Sequence, residues 1–83
     1  RLVGRAFYGQ LALCPSDVIR VAREADNAHD ANAHAVSAYT DGGWAHVGYV
    51  DRQTAARLTL YRIRDARIVG SGPGALPIEV DVS

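Results

Sequence analysis

Apolar and polar residues alternate along most of this chain, and turn-forming residues break the alternation at short intervals. Over LVGRAFY (2–8), Val3, Arg5 and Phe7 alternate with Gly4, Ala6 and Tyr8. Over VIRVARE (18–24), Val18, Arg20 and Ala22 stand against Ile19, Val21 and Arg23. AHAVSAYT (33–40) and WAHVGYV (44–50) repeat the pattern on either side of DGG (41–43). LPIEVDV (76–82) sets Leu76, Ile78, Val80 and Val82 inward against Pro77, Glu79 and Asp81. A period of two belongs to a strand, whose successive side chains point to opposite faces. Asp-Gly-Gly between two such runs signals a hairpin, because glycine takes positive φ without steric cost. Pro77 lacks a donor for a ladder, which predicts an edge strand or a strand start.

One stretch departs from this period. Asp51 has the short acceptor side chain of a helix N-cap, and RQTAARLTLYRIR after it sets Ala56, Leu60 and Ile63 at helical spacing. This predicts one helix of about two to three turns. ARIVG (66–70) reads as a further strand, GQLALCPSD (9–17) as a connection broken by Pro15 and Asp17, and SGPG (71–74) as a turn. About six short strands with one or two helices predict a mainly β (α+β) fold. A small barrel with a helix closing one end is the OB-like solution.

Length and composition narrow the class. The 83 residues allow a single domain over 1–83, and the 48% hydrophobic, 22% charged composition is globular. The chain begins at Arg1 rather than Met, so a domain of a longer protein is expected. The lone cysteine, Cys14, can form no internal disulfide. That fits a reducing, cytoplasmic compartment rather than a secreted protein. No apolar run approaches about 18 residues, so no membrane span is expected. Net charge is zero, which argues against coating nucleic acid by bulk electrostatics. Residues 51–67, however, carry five arginines against two aspartates, enough for a local phosphate contact.

The unusual stretch is EADNAHDANAHAV (24–36), with Asp26, Asn27, Asp30 and Asn32 within seven positions. Such side chains bond their own backbone two residues on and shape turns. A calcium loop requires oxygen ligands at alternate positions and a central glycine. Counting from Asp26 puts Ala28 at the second ligand position, and counting from Asp30 puts Ala35 at the glycine position. Of His29, His34 and His46, only the last two fall on strands that could pair, with no cysteine near, so neither metal nor cofactor is expected. No phosphate loop, HExxH or GxSxG motif occurs, so no catalysis is expected. A carboxylate presented by a rigid loop beside aromatics and an arginine has a different use. It only accepts, so it selects a group with a proton to give, such as a terminal hydroxyl.

VGRAFY, READNAHDANAHAV and HVGYVDRQTAARL together resemble the HIRAN domain family. Its pattern is V-G-x-x-[FY]-[FY], then R-[ED]-x-[DN]-N-x-x-D-x-N-A, then V-G-[YHF]-[LV]-x-[RK] leading into a helix with A-x-x-L. All three blocks occur in order between Val3 and Leu58. The resemblance implies an OB-like barrel with added helices. It also implies a non-catalytic module that binds single-stranded DNA at the 3′ end, alone or joined to a helicase, translocase or nuclease module. On that basis Phe7 and Tyr8 match the aromatic pair at the terminal bases, with only one of them expected as a platform. Asp30 matches the acceptor for the 3′-OH. His29 stands in an aromatic position beside it, Tyr49 at the end nucleotides, and Arg52 at the phosphate, in the first turn of the predicted helix. Two departures accompany the match. Ala6 stands where the DNA-end binder has arginine, leaving Arg5 as the nearest cation, and residues 66–83 contain no aromatic.

Overall fold

The computed structural model describes residues 1–8, 13–71 and 75–83. The expected turn at 71–74, the first part of the connection over 9–17 and the Tyr8 side chain lie largely outside the described residues. Six strands and one helix run in the order β1 (Leu2–Tyr8), β2 (Ile19–Arg23), β3 (His34–Thr40), β4 (Gly43–Val50), α1 (Arg52–Leu58), β5 (Ile63–Ile68) and β6 (Ala75–Val82). They form one antiparallel sheet in the order β2-β3-β4-β1-β6-β5, and its two end strands curl round to face each other. The result is a nearly closed, OB-like small barrel, as the alternation predicts.

The inward residues of each strand make the core. Leu2 and Ala6 from β1, Ile19 and Val21 from β2, Val36 and Ala38 from β3, and Leu76, Ile78 and Val80 from β6 are all buried. Each large aliphatic chain taken fully out of water contributes roughly 1.5–3 kcal/mol. The outward positions Val3, Arg5, Phe7 and Arg20 are exposed.

Two expectations are corrected. The helix ends at Leu58, and its buried face is Thr54, Ala55 and Leu58 rather than Ala56, Leu60 and Ile63. Leu60 is 77% exposed in the turn that follows, and Ile63 opens β5, which therefore starts earlier than residue 66. Of the two alternatives for Pro77 the strand start holds: it lies near the beginning of β6, an internal strand paired to β1 and β5. It is tolerated because β5 has ended at Ile68, and only the Val69 amide still reaches across, donating to the Pro77 carbonyl at 2.9 Å.

Candidate nucleic-acid interface

The polar loop between β2 and β3 is built by Asn27 and Asp30. The Asn27 side-chain oxygen accepts from the amides of His29 (2.9 Å) and Asp30 (3.1 Å). Asp30 Oδ1 accepts from the Asn32 amide (2.9 Å). The loop's base is tied by the Glu24 amide donating to the Ala33 carbonyl (2.8 Å) and by Arg23 Nε donating to the Ala31 carbonyl (3.1 Å). Beneath it, buried His34 lies with Nδ1 2.7 Å from the Asn32 carbonyl, an acceptor, so Nδ1 carries a proton. Burial pushes the His34 pKa below its ordinary value, which keeps the ring neutral. The Asx-turn expectation holds in kind, with Asn27 and Asp30 as the acceptors. Asp26 makes no side-chain hydrogen bond among the described residues.

The opposite wall is set by an irregularity in β4. Val36 pairs with Gly48 but Ser37 pairs with His46, so Val47 is an extra residue in the ladder. A bulge of this kind re-aims the side chains beyond it. Strict alternation would send His46 and Tyr49 to opposite faces; with Val47 and Gly48 both buried, both rings point outward. They meet edge to face with centroids 4.9 Å apart. His34 faces the core, so it and His46 do not share a site.

Tyr49 is then held in place. Its hydroxyl donates to Glu24 Oε1 at 3.0 Å, and the Asn27 side-chain amide donates to the same oxygen at 3.1 Å. These two bonds, Asn27's first, hold the Glu24 pKa down, and the Glu24 carboxylate pushes the Tyr49 hydroxyl up. The ring remains exposed, and Phe7, 52% exposed, is its cross-strand neighbour on β1. Arg5 shares Phe7's outward face. Tyr8 closes β1, its backbone paired with Gly48.

Asp51 fixes Arg52 and β1 together. Its Oδ2 accepts from the Thr54 amide (3.1 Å) and hydroxyl (3.0 Å), and its Oδ1 accepts from the Arg5 amide (2.8 Å). Burial alone raises the Asp51 pKa, but the bonds from Arg5 and Thr54 outweigh it and hold the carboxyl below its ordinary value. The helix terminus thus already has its own anion, and a phosphate contact falls to the Arg52 guanidinium rather than to the backbone. Gly4 makes this docking possible, since a Cβ there would lie 2.5 Å from Thr54 Oγ1 and 2.9 Å from Asp51 Oδ1.

These elements meet at one shallow cavity of about 290 Å³, lined by Asn27, His29, Asp30, Ala33, Tyr49, Val50 and Arg52. Four of the seven residues singled out from the sequence, His29, Asp30, Tyr49 and Arg52, line it directly, and Phe7 flanks it. Among the described residues nothing donates to Asp30 Oδ2, and neither Arg5 nor Arg52 has an acidic partner. Other arginines of the basic segment are placed differently: Arg67 is paired with Asp81 at 2.9 Å on the β5–β6 face. Glu24 was not singled out from the sequence, and His46 was weighed only as a metal ligand, not as part of this wall. The acidic residue after Arg23 in the second block was the available signal for Glu24. The glycine inside β4 was the signal for the bulge that turns His46 and Tyr49 to one side.

Neither a comparison with curated proteins nor one with solved structures finds a match. A family model for the HIRAN domain matches residues 2–75, nearly the whole chain. With the barrel and all three sequence blocks in place, the chain belongs to the HIRAN domain family, known for binding DNA.

Proposed function

We propose that this domain is a non-catalytic module that binds single-stranded DNA at its 3′-OH end. It would guide a fused or associated helicase or nuclease module in repair or replication-associated processes. The observation that carries the reading is the environment of Asp30 Oδ2. Asp30 lines a cavity together with the exposed Tyr49 and with Arg52, and among the described residues its Oδ2 has no donor and that arginine no acidic partner. A terminal hydroxyl donates to Oδ2, the last base stacks on Tyr49 or Phe7, and Arg52 with Arg5 meets the phosphates. Stacking contributes roughly 1–3 kcal/mol per base regardless of sequence. A 3′-phosphate in the same place would face the carboxylates of Asp30 and Glu24.

The test is fluorescence anisotropy at low salt with labelled oligothymidine carrying a 3′-OH or a 3′-phosphate, and with a blunt duplex. Asp30→Asn is the informative variant. It keeps an oxygen for the Asn32 amide, so the loop survives, while an amide NH2 replaces Oδ2. Preference for the free 3′-OH, lost in Asp30→Asn, supports the reading. Equal binding of all three ligands reduces it to generic backbone binding. No binding of any favours a protein-interaction domain of the same fold, a reading supported by the zero net charge and by alanine at position 6.

A further inference from the structure

A second cluster of rings lies on the same outer wall, at the far end of the β3–β4 hairpin. Tyr39 and Trp44 are cross-strand partners, 61% and 41% exposed, with centroids 5.4 Å apart in an edge-to-face arrangement. The Arg20 guanidinium from β2 lies 4.3 Å above the Trp44 ring. Trp44 stands on the outside of the barrel, edge to face with Tyr39 and with Arg20 over its ring. A solvent-facing Trp–Tyr–Arg group contributes little to the core.

We infer that Arg20, Tyr39 and Trp44 form a second stacking site for single-stranded DNA, holding nucleotides on the 5′ side of those bound at the Asp30 cavity. The inference rests on the proposed 3′-end reading and extends it along the strand. Continuity carries it. Trp44, His46 and Tyr49 all face outward on β4, the last only because of the bulge at Val47, so one row of rings runs from the hairpin to the cavity. Five residues of strand place the two ends roughly 15 Å apart. That distance suits the roughly 4–16 nucleotides that one OB-like fold covers. The chemistry agrees: aromatic faces take any base, and a guanidinium offers both a stacking plane and a phosphate partner.

Trp44 is the one tryptophan, so it reports on its own site. The experiment titrates the protein with oligothymidines from the dinucleotide to the dodecanucleotide, each carrying a 3′-OH or a 3′-phosphate, following both anisotropy and tryptophan emission. It compares wild type, Asp30→Asn and the double variant Tyr39→Ala with Trp44→Phe. In the wild type, Trp44 emission changes only beyond a threshold length. The double variant binds the dinucleotide as the wild type does but the dodecanucleotide roughly tenfold more weakly. Equal binding of the double variant and wild type at every length, or no response of Trp44 to the long ligand, overturns the second site and leaves 3′-end recognition standing. Loss of long-ligand affinity in the double variant with no preference for a 3′-OH in the wild type does the reverse. Failure of wild type to bind any oligothymidine overturns both.

Discussion

Asp51 is the residue on which helix, first strand and candidate site converge, and Asp51→Ala tests that role. The substitution removes the cap on the Thr54 amide, a change that costs about 1 kcal/mol in helices generally. It also removes the acceptor of the Arg5 amide, and hydrogen bonds to a charged group contribute about 1.5–3 kcal/mol, less where water competes. Together we expect a loss of about 2–3 kcal/mol, a large part of the roughly 5–15 kcal/mol typical of a domain. For a chain of this length that lowers the melting temperature by about 10–20 °C. Urea and thermal unfolding followed by circular dichroism measure both. The acid limb supplies an independent check. The folded-state pKa of Asp51 lies below its ordinary value of 3.8, so its contribution is complete above that value and is lost as pH falls through the lower, folded one. Asp51→Ala should therefore flatten the decline of stability below about pH 4. A variant within about 0.5 kcal/mol of wild type, with an unchanged acid limb, would refute the clamp.

Gly4→Ala should destabilise by about 1–3 kcal/mol, because the new methyl meets the buried Thr54 side chain; unfolding indistinguishable from wild type would show that α1 can move away. His34 should titrate below 6.5 in an NMR pH series. The fold resists a proton that the unfolded chain accepts, so stability should fall as pH drops below 6.5 and level off beneath the folded value; a midpoint at 6.5 would contradict its burial. Phe7→Ala should change stability by no more than about 0.5 kcal/mol yet weaken oligothymidine binding by about 1–3 kcal/mol, and the opposite pattern would make Phe7 structural. Tyr49→Phe keeps the ring but frees Glu24, so its affinity should fall between wild type and Tyr49→Ala in the same anisotropy assay.

The strands were legible because their inward residues are few, aliphatic and evenly spaced. Ile19 and Val21, or Leu76, Ile78 and Val80, admit no other period. The helix was legible at its start, where the short acceptor side chain of Asp51 marks an N-cap, and not at its end. Ala56, Leu60 and Ile63 fit a helical stripe as well as Thr54, Ala55 and Leu58 do, and only packing against β1 decides between them. The site was legible as a set of residue types in three blocks. Its geometry was not, because the bulge at Val47 shifts every outward position of β4 beyond it. Read with strict alternation, Tyr49 parts from Trp44 and His46, and the outer row of rings disappears. Val47 and Val50, three apart and both buried around Gly48, are the trace the bulge leaves in the sequence.

The position of β1 in the sheet has a consequence for the order of assembly. The earliest strand in sequence lies between β4 and β6, the last of the six. Its pairing with β4 already joins Phe7 to Tyr49 and lets Asp51 reach Arg5, so both sides of the cavity can be in register while β1 still has one unpaired edge. Only the arrival of Ala75–Val82 covers that edge. Contacts this distant in sequence are slow to form, because the loop must close before they stabilise anything. During synthesis the apolar side of Leu2–Tyr8 therefore waits for nearly the whole domain to emerge, and in that interval the chain is most exposed to pairing with a neighbour.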